Sequence, residues 1–176
     1  MDRQPISIEQ FLTHPFRMWE PDWLLLASGD FTSGKYNCMT IGWGSVGIMW
    51  GRPFIQVVVR PQRYTYGYME QYATFTVCAF PKTYRQALNI LGTKSGRDGN
   101  KIAEAGLTPQ ASTIVAAPYF AEAELVLECE KMYWSDFDPN HFLEPGIDRN
   151  YPKKDYHRSY FGHIVSVMGT SKYDQD

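Results

Sequence analysis

A chain of 176 residues is long enough to bury a core without disulfides or metals and short enough to form one domain, residues 1–176. Hydrophobic residues make up 44% of it and charged ones 20%, a globular balance that excludes a disordered chain. A net charge of −2 with no Lys/Arg-rich window argues against nucleic acid, and the longest apolar run, Trp23 to Ala27, is too short to cross a membrane.

Residues 1–22 carry Pro5, Pro15 and Pro21 and no sustained period, although Ser7 could cap a short helix through Phe11 and Leu12. They read as a lead-in arm without the apolar centre of a signal peptide, which suits a cytoplasmic protein. Trp23–Ser28 is a short apolar run bounded by Pro21 and Gly29, hence a buried strand. In Asn37–Trp43, Met39, Ile41 and Trp43 alternate with a small, polar face of Cys38, Thr40 and Gly42. Val46–Trp50 and Phe54–Arg60 follow as two further strands joined at 51–53.

Beyond Pro61 the period changes. Tyr66, Met69, Glu70 and Tyr72 fit a short helix that Thr65 would cap, and Ala73–Phe80 alternates as a strand. Tyr84, Ala87, Leu88 and Leu91 recur at helical spacing, with Gly92 placed to end that helix. A shorter helix is expected over 99–105, with Ser95 or Asp98 at its start and Gly106 past its end. Ala121–Glu130 alternates most clearly, Ala121, Ala123, Leu125, Leu127 and Cys129 facing the core while Glu122, Glu124, Glu128 and Glu130 stay wet. Residues 135–159 read as a long loop before a last strand, Tyr160–Met168. Seven or eight mostly sequential strands against two or three short helices imply a mainly β fold, a closed or split antiparallel barrel with appended helices.

The aromatic share of 15% suits a flat ligand or a partner chain. Gly42, Gly44 and Gly47 spell GxGxxG, but a strand follows where a phosphate-binding helix should begin, so a dinucleotide fingerprint is rejected. Cys38, Cys78 and Cys129 lie in strand-like patterns without CxxC spacing and read as reduced, buried thiols. Asp136, Asp138 and His141 match no metal spacing, and no nucleophile–base pair is legible.

Electrostatics singles out two places. Arg60 and Arg63 precede the helix near Thr65, and Arg97 and Lys101 stand at the start of the helix after Ser95, where exposed N–H groups already carry partial positive charge. Two readings stand: solvated surface cations, or donors gathered around an anion such as a phosphate monoester. Beside a strand with a small, polar face and near Trp43 and Trp50, a phosphorylated planar ligand such as FMN would fit.

NCMTIGWG at 37–44, VVVRPQRYT at 57–65, GTKSGRDGNK at 92–101 followed by EAGLTP, and DYHRSYFGHIV at 155–165 resemble the flavin reductase-like, FMN-binding split-barrel family, its flavoredoxin-like members in particular. The resemblance spans about residues 20–168. It implies a split barrel in which Asn37, Cys38, Met39 and Thr40 run along the isoalloxazine and Val59 and Arg60 lie near the ring or ribityl chain. Tyr64, Thr65, Ser95, Gly96 and Lys101, with Arg63 and Arg97, would surround the phosphate. It further implies a homodimer and an oxidoreductase that takes hydride from NAD(P)H and passes electrons to free flavin, a partner protein or a small acceptor. A flavoredoxin-like electron carrier is the alternative. His157 is a candidate to approach the flavin or the partner chain, and His163, which stands where an acid is common in the family, is a candidate to line the ligand pocket or a subunit contact.

Overall fold

Short apolar or alternating runs closed by glycine, proline or polar turns become the strands of the computed structural model, which describes residues 1–175. They are β1 (Gln4–Pro5), β2 (Leu24–Asp30), β3 (Lys35–Ile41), β4 (Gly44–Met49), β5 (Arg52–Val59), β6 (Thr74–Ala79), β7 (Pro109–Gln110), β8 (Tyr119–Phe120), β9 (Leu125–Asp136) and β10 (Arg158–Gly169). The helices are α1 (Tyr64–Gln71), α2 (Arg85–Thr93) and α3 (Lys101–Glu104). One antiparallel sheet runs in the order β3, β2, β6, β9, β10, β5, β4, with β1 paired to the far end of β10 and β7–β8 forming a separate small ribbon. Its edge strands β3 and β4 are not hydrogen-bonded to each other, so the barrel is split.

Alternation sorts the side chains between two cores. Leu24, Leu26, Met39, Ile41, Ile55, Val57, Val59, Phe75, Val77, Leu127 and Tyr160 fill the inside of the curved sheet. Leu25, Ala27, Cys38, Cys78 and Val126 point outward and are covered by Ala87, Leu88 and Leu91 of α2. Burying Leu88 and Leu91 contributes about 2 kcal/mol apiece and fixes α2 against β3. The arm is packed rather than free: Ile6, Met18 and Trp19 enter the inner core, and the Trp19 ring lies where a Cβ on Gly44 would stand.

Several expectations are corrected. The β4–β5 hairpin turns on Trp50 and Gly51, both left-handed (φ 53° and 70°), so Arg52 and Pro53 already belong to β5. Thr65 is not a cap: α1 starts at Tyr64 after Arg63, and Thr65 is buried inside it. Gly92 does not end α2, which continues to Thr93; its missing side chain instead lets the helix meet Thr40, whose Cβ would lie 3.2 Å from a Cβ at position 92. Neither Ser95 nor Asp98 starts α3; Asn100 caps it, accepting from Ala103 N at 3.1 Å. Ser7 accepts from Gln10 N within a turn, with no helix following.

The clearest alternation gave the largest miss. The strand begins at Leu125, and both of its faces are covered through Cys129. Glu128 is not wet but fully buried, its carboxylate accepting from the backbone N–H groups of Thr113, Ile114 and Val115 at 2.9, 2.7 and 3.1 Å. The 135–159 loop is shorter than expected, because β9 continues to Asp136 and β10 starts at Arg158, where Arg158 and Asp136 pair through two hydrogen bonds of 2.7 and 2.8 Å.

Candidate functional site

A cleft of about 420 Å³ opens between β3, the end of β5, α2 and the chain at His157. Val58 and Trp43 give it an apolar wall, Met39 and Ile41, whose side chains belong to the inner core, border it along β3, and Thr40, Arg60, Asn89, Thr93 and His157 supply polar groups. Its size and its few convergent polar groups are those of a small-molecule site. A larger hollow of about 630 Å³ lies between the arm and α2, but most of its charges serve each other and the chain. Arg17 pairs with Asp22, Lys172 with Glu124, and Arg85 donates to the Pro21 and Asp22 carbonyls while lying 3.2 Å over the Trp23 ring.

Of the residues expected along a ring, Met39, Thr40 and Arg60 line the cleft. Val59 does not: it is fully buried in the inner core, and its neighbour Val58 takes the place because successive strand residues face opposite ways. The Cys38 side chain faces α2, fully buried, with burial pushing its thiol up to about 12. Asn37 is buried too, donating from Nδ2 to Thr65 Oγ1 at 2.8 Å. His163 sits on β10 between Phe54 of β5 and Glu130 of β9 and is not part of the lining. Of the two tryptophans expected near a ligand, Trp43 lines the cleft and Trp50 lies against Tyr133 instead; Asn89, Gly92 and Thr93 were not foreseen, and the one-turn spacing of Asn89 and Thr93 on the exposed side of α2 was the available signal.

His157 is held by an aromatic cluster. Its Nδ1 lies 2.8 Å from the buried Tyr151 hydroxyl, and its ring stands 5.2 Å from Trp43. Arg60 anchors the same loop, lying 5.0 Å over the Tyr151 ring, donating to Asn150 O at 2.8 Å and pairing with Asp155 at 3.2 Å. Burial, reinforced by the Arg60 charge, pushes the imidazole down to about 4, so it is neutral in ordinary buffers. An unfolded histidine titrates near 6.5. Between these two values the unfolded chain binds the extra proton, so this residue's contribution to stability is full above the window and falls as pH drops through it. Replacing His157 by Asn is expected to flatten that slope, read from urea midpoints on either side of the window; an unchanged slope would place the cause elsewhere.

The two cationic segments do meet. Arg97 lies 4.8 Å over the Tyr64 ring and donates to Gln62 O, and a Cβ on Gly96 would collide with Asn37 and Tyr64. Ser95 Oγ accepts from Arg97 N at 3.2 Å. Arg63 and Lys101 do stand at the starts of α1 and α3, but their side chains turn away to the C-terminus of α2. Lys101 donates from Nζ to Leu91 O and Lys94 O at 3.0 and 3.1 Å, and Arg63 donates to Gly92 O. A helix C-terminus favours cations. Burial lowers the pKa of both; Arg60 adds to the effect on Arg63, and Arg63 to that on Lys101. On Lys101 the neighbouring Cys38 works the other way, though not enough to offset burial.

Residues 24–143 match the model of the flavin reductase like domain. The chain belongs to this family. Its fold is that of an FMN-binding domain of a flavin reductases-like enzyme from Shewanella baltica (TM-score 0.70, 16% identity, 97% of this chain and 78% of the other). Flavoredoxins from Methanosarcina acetivorans (TM-score 0.67, 20% identity, 96% and 73%) and Desulfovibrio vulgaris (0.66, 22%, 92% and 73%) are also similar. No curated protein matches. Among the described residues no helix is long and apolar enough to cross a membrane.

Proposed function

We propose that the protein binds FMN and acts as a flavin-dependent oxidoreductase, taking hydride from NAD(P)H. The observation that carries the reading is the pair Arg63 and Lys101, half-buried and buried, both turned to the carbonyls at the end of α2 and neither in an ion pair among the described residues. A phosphate held by their remaining N–H donors, with Ser95, Arg97 and Tyr64 beside them, would supply the missing negative charge. The cleft a few residues away, lined by Thr40, Trp43 and Val58, would take the ring system.

Bound flavin would supply the redox chemistry, exchanging hydride and electrons. The chain holds and shields it. Val58 and Trp43 would lie against the ring, and Arg60 would favour negative charge on it. His157, neutral and fixed by Tyr151, offers Nε2–H as a donor whenever the phenol donates to Nδ1.

A second copy of the chain is the partner this reading includes. Ile48 and Trp50 are 69% and 64% exposed, and an aromatic run from Trp50 through Tyr133 and Phe161 to Phe54 crosses the outer face of β4, β5, β10 and β9. Exposed apolar surface of that kind marks an interface. The reduced, buried cysteines are compatible with a cytoplasmic setting.

Titration by flavin fluorescence tests the proposal: FMN is expected to bind at least about tenfold more tightly than riboflavin, the worth of one charge-assisted hydrogen bond. Sustained NADH or NADPH oxidation with added flavin supports the enzyme. A flavin that only cycles with a redox partner supports the flavoredoxin-like carrier, and a preparation that retains no flavin on desalting overturns both.

A further inference from the structure

The hollow of about 630 Å³ between the arm and α2 is larger than the cleft and of a size that holds a small molecule. Phe80 and Leu88 of the outer core floor it, with Trp23 packed against that core. Its two acids are already engaged. Asp22 accepts from Nε and Nη2 of Arg17 at 2.9 and 3.4 Å, and Glu124 holds Lys172 and accepts from the Tyr173 hydroxyl at 2.7 Å. Two cations of the lining are left over: Lys82, in the turn that leads into α2, and Arg85, the first residue of that helix. Neither has an acidic partner among the described residues, and no acid stands in the first turn of α2.

Arg85 is fixed in a way that leaves its binding edge free. Nη1 donates to the Pro21 and Asp22 carbonyls, and the guanidinium lies 3.2 Å over the Trp23 ring, which sets its plane. Nε–H and the parallel Nη2–H make no hydrogen bond among the described residues. That pair of donors is the edge that takes a carboxylate through two bonds at once. Trp23 supports the plane at a cost, because its backbone is left-handed (φ 63°), worth about 1–3 kcal/mol of strain for a bulky residue. Such strain persists where the resulting geometry is used.

We propose that this hollow binds a small carboxylate with a planar, apolar body. The carboxylate takes the Nε–H and Nη2–H pair of Arg85, Lys82 adds a second positive charge, and the body lies against Phe80 and Leu88. Trp23 and Leu88 also line the cleft, so one wall separates the two sites. They share no charged group, and the inference therefore stands apart from the flavin reading.

The probe is 2-naphthoate, followed by calorimetry on the full chain without FMN, with 2-naphthylmethanol as its uncharged counterpart. Naphthoate is expected to bind the wild type at least about tenfold more tightly than the alcohol, the worth of one charge-assisted hydrogen bond. Arg85→Lys keeps the charge but loses the paired donors, and Lys82→Gln removes a charge from an exposed side chain that the fold does not use. Each is expected to weaken naphthoate by about threefold to tenfold while the alcohol binds as before. Naphthoate affinity unchanged by saturating FMN supports a separate site. No binding by the wild type, equal binding of the two probes, or wild-type affinity in both variants overturns the proposal. Naphthoate that FMN displaces and that Lys101→Met weakens sits in the cleft, which overturns it as well. Affinity that falls as protein concentration rises shows a second copy covering the hollow, and that too overturns a ligand site.

Discussion

Glu128→Ala is expected to lower the unfolding free energy by about 3–5 kcal/mol. The carboxylate is fully buried and accepts from three successive backbone N–H groups, Thr113 to Val115. Water cannot replace it at those donors without opening the segment that carries them. That segment is part of the outer layer, with Ala116 O accepting from Phe31 N and Pro118 O accepting from Thr76 Oγ1. Against a typical domain stability of about 5–15 kcal/mol the loss is large enough to threaten folding at physiological temperature. Glu128→Gln keeps the shape and one accepting oxygen but turns an NH₂ toward the remaining N–H, so an intermediate loss is expected. Urea midpoints at constant m-value read both; a midpoint unchanged in Glu128→Ala would show that the segment holds itself.

Lys101→Met is expected to cost about 2–3 kcal/mol, because the stem stays buried while the Leu91 and Lys94 carbonyls lose their donor. It is also expected to narrow the preference for FMN over riboflavin, since the ammonium is one of the two cations proposed for the phosphate. Ser95→Ala separates the two roles. Its hydroxyl accepts only from Arg97 N among the described residues, so stability should change by less than about 0.5 kcal/mol while FMN weakens more than riboflavin. Equal weakening of FMN and riboflavin in both variants would leave Lys101 as a helix clamp and nothing more.

The longer strands and α2 were legible because each is an apolar run of the right period ended by turn residues, whereas β1, β7 and β8, two residues each, are too short to show a period. The fold's two-sidedness was not. AELVLECE alternates as a half-wet strand does, and only the docking of residues 111–118 across the second face buries Glu128. A periodic pattern records which residues are apolar, not what covers the others. The cationic cluster shows the same limit. Its members could be picked out at 60–65 and 95–101 because their positions looked electrostatically costly, yet two of them meet the C-terminus of α2, a neighbour that only the tertiary fold brings near. Val58 was missed by one position, a register error that a strand's alternation makes complete.

The unpaired edges of β3 and β4 belong to strands that follow one another in sequence, joined through Gly42 and Trp43, both of which line the cleft. No residue of β4 itself takes part in the lining, so that side of the cleft's rim is the link between two strands rather than a hydrogen-bonded edge. Access can be tailored at that junction while the hydrophobic framework stays as it is, which gives the scaffold a place to change what it admits without relearning how to fold.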